Sequence, residues 1–180
     1  MTQLIVTHLH PDHVGLAGWI CEKWNLDLKM SRTDYMACRV LMSESEKAAP
    51  EAAIKFYLRA GLDNDQLTKY KEKFGSYAKA IYPLPESFVR VQDEDTLEMG
   101  GQTWQVIVGK GHAPEHLCLY CPFLNVLISG DQILPSISSN VSVWPREPAS
   151  NPLKEWLDSC TMLKQRLPND VLVLPSHGQV

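Results

Sequence analysis

Thr7-His8-Leu9-His10-Pro11-Asp12-His13 is the stretch on which the reading of this chain turns. Four potential metal ligands, His8, His10, Asp12 and His13, fall within six residues. The apolar run Leu4-Ile5-Val6 leads into them, and Val14 to Cys21 continues as the start of a helical pattern. Such an order predicts a buried strand, a tight loop and a helix N-terminus. A loop of that kind aims several side chains at one point without long-range closure. Neutral imidazoles beside a carboxylate suit zinc, iron or manganese. The plain alternative is a surface loop that happens to be rich in histidine.

The other histidines weigh against that alternative. Of the six in the chain, three are in this loop; the rest are His112, His116 and His177. His112 follows the strand-like run Thr103 to Val108, Asp131 follows Asn125 to Ile128, and His177 follows Val171 to Leu174. Each is a polar residue just past an apolar, β-branched run and beside Gly or Ser. Strands that end on one side of a sheet would bring these tips together, with residues 8–13 as the fourth tip.

On these residues the chain resembles the metallo-β-lactamase-fold hydrolases. Their H-x-H-x-D-H signature matches His8, His10, Asp12 and His13, and their later single His, single Asp and final His match His112, Asp131 and His177 in order and context. The Gly-His-x-Pro-x-His form at residues 111–116 also resembles the branch of glyoxalase II-like and endoribonuclease-like relatives. The resemblance runs over nearly the whole chain and implies an α/β fold, the αββα sandwich. Relatives place several strands before the metal loop, whereas Met1 lies seven residues before His8, and they continue where this chain stops, just after His177. Residues 1–180 are therefore expected to form a partial domain that lacks the N-terminal strands.

The same resemblance implies two divalent metal ions, zinc first, with iron or manganese as alternatives. His8, His10 and His112 would hold one, Asp12, His13 and His177 the other, and Asp131 would bridge. Physical chemistry agrees with that partition. His8 and His10 alternate on an extended segment, so both can point to one side, and a carboxylate offers two oxygens to two cations. The implied activity is metal-dependent hydrolysis, in which an activated hydroxide attacks a small ester or thioester-type acyl substrate. Asp12 would orient the nucleophile and relay its proton. His116 is left over. Four residues after His112, it is expected at the pocket rim, either fixing a ligand by a hydrogen bond or binding substrate and protonating the leaving group. Thr7 and Ser176 read as residues that orient ligands, and no G-x-S-x-G nucleophile motif is present.

Composition bounds the rest. The 180 residues suffice for one domain with a substantial core. Hydrophobic content of 44% and charged content of 21% are those of a globular protein. No apolar run approaches the roughly 20 residues that span a bilayer, and no signal peptide is visible. A net charge of -4 gives no electrostatic case for nucleic acid. The expected partner is a small-molecule substrate, without membrane, and with a homo-oligomer left open. Five scattered cysteines fit a reducing cytoplasm. Cys118 and Cys121 have C-x-x-C spacing; core packing competes there with a redox or metal role.

Periodicity predicts helices at 14–24, 33–46, 50–60, 64–80 and 152–167, and strands near 26–30, 88–91, 103–108, 117–120, 126–128 and 171–174. Gly100-Gly101 reads as a hairpin turn and residues 134–152 as an extended loop near the site. Residues 31–82 form a helical insert whose aromatic face either packs on the domain or serves as a lid over the metals. Two competing activities share the fold. Phosphodiester or RNA cleavage is disfavoured by the acidic balance. Persulfide dioxygenase-like iron chemistry remains open, whereas the diiron flavoprotein branch typically has Glu where His10 stands.

Overall fold

The computed structural model describes residues 1–179 and stacks four layers, helix, sheet, sheet, helix. The first sheet is small and parallel, in the order β1 (Leu4–Ile5), β2 (Leu28–Met30), β3 (Val89–Arg90). The second runs β4 (Thr96–Met99), β5 (Gln102–Gly109), β6 (His116–Cys121), β7 (Val126–Gly130), β8 (Leu172–Pro175). Its pairs are antiparallel except β7 with β8, which run parallel.

Alternation along β5 and β6 explains the layering, because successive side chains on a strand face opposite ways. Trp104, Val106, Leu117, Leu119 and Cys121 point toward the first sheet, where Val91 and Ile5 meet them. Ile107, Cys118 and Tyr120 point the other way, onto Leu163 of α6 (Pro152–Arg166). β6 is buried along its whole length. Cys118 and Cys121 thus lie on opposite faces of one strand, both free, and cannot share a metal or a disulfide. The outer face of the first sheet packs Val6, Leu28 and Met30 against α2 (Ala17–Trp24) and α3 (Arg32–Met42).

Two expected helices are interrupted. The one at 14–24 splits into α1 (Pro11–Val14) and α2, because Pro11 starts its own turn inside the histidine-rich loop and Leu16 leaves helical geometry. In the insert, α4 (Glu51–Arg59) and α5 (Asn64–Lys73) form close to the expected places. The helix predicted to reach residue 80 stops at Lys73, since Phe74 is extended and Gly75 is left-handed; a 3₁₀ turn follows at Ser76–Ala80. The backbone of Gly75 presses on the Glu44 carbonyl, where a side chain would collide.

These elements bring four chain tips to one end of the sandwich. The Leu117 N–H donates to the Thr7 carbonyl (2.9 Å), which stitches β6 to the segment before the histidine-rich loop. The connection through α6 makes β7 and β8 parallel, so Asp131 and His177 leave the sheet at the same edge. No helix among the described residues is long and apolar enough to cross a membrane.

Gly18 shows how closely α2 is seated. A Cβ there would lie 1.9 Å from the Pro83 carbonyl oxygen. Gly18→Ala is expected to destabilise the fold by about 1–3 kcal/mol, as over-packed sites do. Urea denaturation would register this as a lower midpoint at an unchanged slope; an unaltered midpoint would contradict the packing described.

Candidate metal centre

His8 follows β1 and is wholly buried. Its Nε2 lies 3.0 Å from Nδ1 of His10 and 3.2 Å from Nε2 of His112. Three ring nitrogens separated by 104 residues of sequence thus converge at one point. Asp131 stands beside them, its Oδ2 3.9 Å from His8 Nε2 and 3.6 Å from His112 Nε2. The same carboxylate faces a second group. Its Oδ1 lies 3.4 Å from His13 Nε2, and its Oδ2 3.4 Å from His177 Nε2. Asp12 completes that group, with Oδ2 3.6 Å from His13 and 3.3 Å from His177. The ligand atoms of His8, His10, His112 and Asp131 all lie within 4.8 Å of one another, as do those of Asp12, His13 and His177.

These residues fit divalent cations. His13 Nε2 and Asp131 Oδ1 are both buried without a hydrogen-bond partner, although they face each other. An orphaned buried polar atom costs free energy unless a partner or a cation satisfies it. The rings are also held in the form that binds metal, since an imidazole ligates only when neutral. Burial, then the neighbouring His112, lowers His10 to about 4. Burial, then nearby rings led by His116, pushes His8 far below its ordinary range. Burial likewise lowers His112. The Asn140 carbonyl lies 2.9 Å from His112 Nδ1. A carbonyl only accepts, so that nitrogen carries the proton and Nε2 is left to the cluster. Thr7 Oγ1 lies 3.1 Å from His8 Nδ1. Ser176 contributes its backbone instead, its N–H donating to the Gly130 carbonyl.

His116 is not at the pocket rim. It is fully buried behind His8, stacked at a centroid distance of 4.7 Å. Its Nε2 accepts the backbone N–H of Asp131 at 3.0 Å. A ring in that place holds the carboxylate's backbone and cannot reach a leaving group. β6 begins at His116 and faces the core from its first residue, which the four-residue offset from His112 could not reveal. Gly130 makes room for it: φ is +53°, and a Cβ would lie 2.4 Å from His116 Cε1.

A cavity of about 600 Å³ opens over the ligands, with His10, His112, Asp131 and His177 at its floor. Leu134, Ile137, Val141, Leu153 and Trp156 supply its apolar walls. No residue of the helical insert lines it. The insert packs Tyr35 and Cys38 into the core and Tyr57 onto Tyr70, and the cavity walls come from the loop after β7 and from α6. Sequence reasoning passed over Trp156, Ser139 and Asp34. Ser139 Oγ–H donates to the Asp131 carbonyl and Trp156 Nε1–H to the Gln132 carbonyl, which braces the backbone after β7. Ser139 falls in the 134–152 loop expected near the site, Trp156 in the helix predicted at 152–167, and Asp34 three residues after the helix-opening Ser31.

Comparison with known proteins agrees with this geometry. The metallo-beta-lactamase superfamily matches residues 2–177, and the chain belongs to that superfamily. A β-lactamase domain protein from Burkholderia ambifaria superposes with a TM-score of 0.83 at 37% identity, over 99% of this chain and 51% of its own. A metallo-β-lactamase family protein from Thermus thermophilus gives 0.78 at 26%, over 99% and 55%. An uncharacterized protein of Aquifex aeolicus is 29% identical over 97% of this chain and 66% of its own length. The chain thus spans between half and two thirds of the length of these relatives. Members of the superfamily are generally metal-dependent enzymes.

Acid should act on the metal-free protein through these rings. His8, His10, His112 and His116 all titrate below the ordinary 6.5 when folded. The unfolded chain therefore binds protons that the native state does not, and stability falls as pH falls. Asp34, raised to about 6 by burial, opposes this, but as one carboxyl against four imidazoles. Chelator-treated protein is expected to lose urea resistance progressively from about pH 6.5 to about pH 4. Constant or rising resistance over that range would refute the neutral-ring description.

Proposed function

We propose that this chain carries the centre of a metal-dependent hydrolase acting on a small, uncharged ester or thioester-type acyl substrate. The observation that carries this reading is one carboxylate, Asp131, facing two histidine groups at the floor of an apolar cavity. His8, His10 and His112 would hold one divalent cation, Asp12, His13 and His177 a second, and Asp131 both; zinc is the simplest choice for this donor set. When bound, such ions polarise a carbonyl oxygen and bring the pKa of water toward neutrality.

The protein's own groups do the remainder. Leu153, Trp156 and Ile137 would seat the acyl portion and keep bulk water away, which strengthens every charge interaction at the floor. Asp12 is more than half exposed and lies against His177, so its carboxylate can take a proton from an incoming water and pass it outward. His116 would act through Asp131 alone, as a positioning residue. The absence of lysine and arginine from the described cavity lining favours a neutral substrate over a phosphodiester. All five cysteines are free, which supports a reducing compartment such as the cytoplasm.

The test begins with elemental analysis of protein purified without added metal. It continues with steady-state hydrolysis of p-nitrophenyl esters, acyl thioesters and bis-p-nitrophenyl phosphate. Esters or thioesters are expected to be the better substrates, and Asp131→Ala to lose bound metal and activity together. Full activity in metal-free protein would overturn the reading, and a preference for the phosphodiester would move it to nucleic-acid chemistry.

A further inference from the structure

Two of the loops that make the metal centre are joined by one buried side chain from outside it. Asp34 sits in the first turn of α3 and is wholly buried. Its Oδ1 accepts the N–H of Leu9 at 3.0 Å, between His8 and His10. Its Oδ2 accepts the N–H of Glu115 at 2.7 Å, between His112 and His116, and the hydroxyl of Ser31 at 3.2 Å. The link is reciprocal, since the Glu115 carboxylate accepts the N–H of Thr33 at 2.9 Å, in that same first turn. The far side of the Leu9 peptide is also held, its carbonyl accepting the Tyr77 hydroxyl.

A carboxylate near a helix start commonly serves the helix's own free N–H groups. Here the oxygens of Asp34 are spent on two loops 106 residues apart, Leu9 and Glu115, while Ser31, the residue at the helix start, makes no side-chain cap of its own. Burying an acid is costly unless its oxygens are satisfied, and burial pushes this one up to about 6 while the two backbone donors pull it back. We infer that Asp34 is a positioning residue of the metal centre, a clamp that fixes the loop of His8 and His10 against the loop of His112 and His116. The inference rests on the metal reading of the cluster and is independent of the substrate.

Asp34→Asn tests it at nearly constant volume. The amide has one acceptor oxygen, and its NH₂ would meet the second N–H donor head on, so one loop is released. Zinc affinity, measured by competition with a chromophoric chelator, is expected to fall about 10–100-fold, as it does when groups that orient ligands are lost. The visible spectrum of the cobalt-substituted protein should change as well, while circular dichroism stays that of the parent. A folded Asp34→Asn protein with parental zinc affinity and cobalt spectrum would overturn the inference, even if its melting temperature dropped. Should the variant fail to fold, hydrogen exchange of the parent, stripped of metal, decides. The Leu9 and Glu115 amides are then expected to be protected well beyond other loop amides, and free exchange at either would overturn the clamp. A parent that binds no zinc at all would instead overturn the metal reading.

Discussion

Basic rings crowded together with little access to water are held there as neutral rings. That is the condition of His8, His10 and His112, whose nitrogens meet at 3.0 and 3.2 Å. Each proton added would place a charge among its neighbours where little solvent reaches it. The arrangement leaves Asp131 Oδ1 and His13 Nε2 unsatisfied. A divalent cation would suit both groups, taking the ring nitrogens as ligands and the orphaned atoms as partners. The architecture reads as the means of enforcing this otherwise unfavourable meeting.

Enforcement comes in layers. β6, buried on both faces, gives the rigid centre, and its first residue His116 accepts the N–H of Asp131. The parallel pairing of β7 and β8 sends Asp131 and His177 out at one edge. The Thr7 carbonyl takes the Leu117 N–H and so ties the metal loop to the sheet. Asp34 ties the same loop to the turn after His112. Most of these braces use backbone groups, which hold a loop without committing the side chains that do the chemistry. The cavity above is left to apolar side chains from the segment after β7 and from α6.

Much of this was legible in the sequence, and for identifiable reasons. Ligands cluster in sequence when one loop supplies them, so His8, His10, Asp12 and His13 stand out unaided. His112, Asp131 and His177 were visible because each follows a short apolar run, and a strand that ends abruptly presents its next residue at a sheet edge. The hairpin at Gly100-Gly101 and the helix opened by Asn151-Pro152 were likewise local in origin. What was missed is long-range. Nothing in the neighbourhood of His116 shows that it points inward, because that depends on β6 being covered on both sides. Helicity ended at Lys73 because the Gly75 backbone must pass the Glu44 carbonyl, a contact between distant residues. For the insert the sequence left packing and lid both open, and only the contacts of its aromatic residues with the core and with each other show where they lie.

The order of residues alone determined the donor set, the strand-then-ligand rhythm and the family, since all three are written in local spacing and residue type. Tertiary structure alone decided which donors share a centre, that Asp131 faces both groups, that His116 and Asp34 stand behind the ligands, and which walls enclose the cavity. Those facts depend on distances between residues up to 165 positions apart, such as Asp12 and His177, and only packing sets such distances.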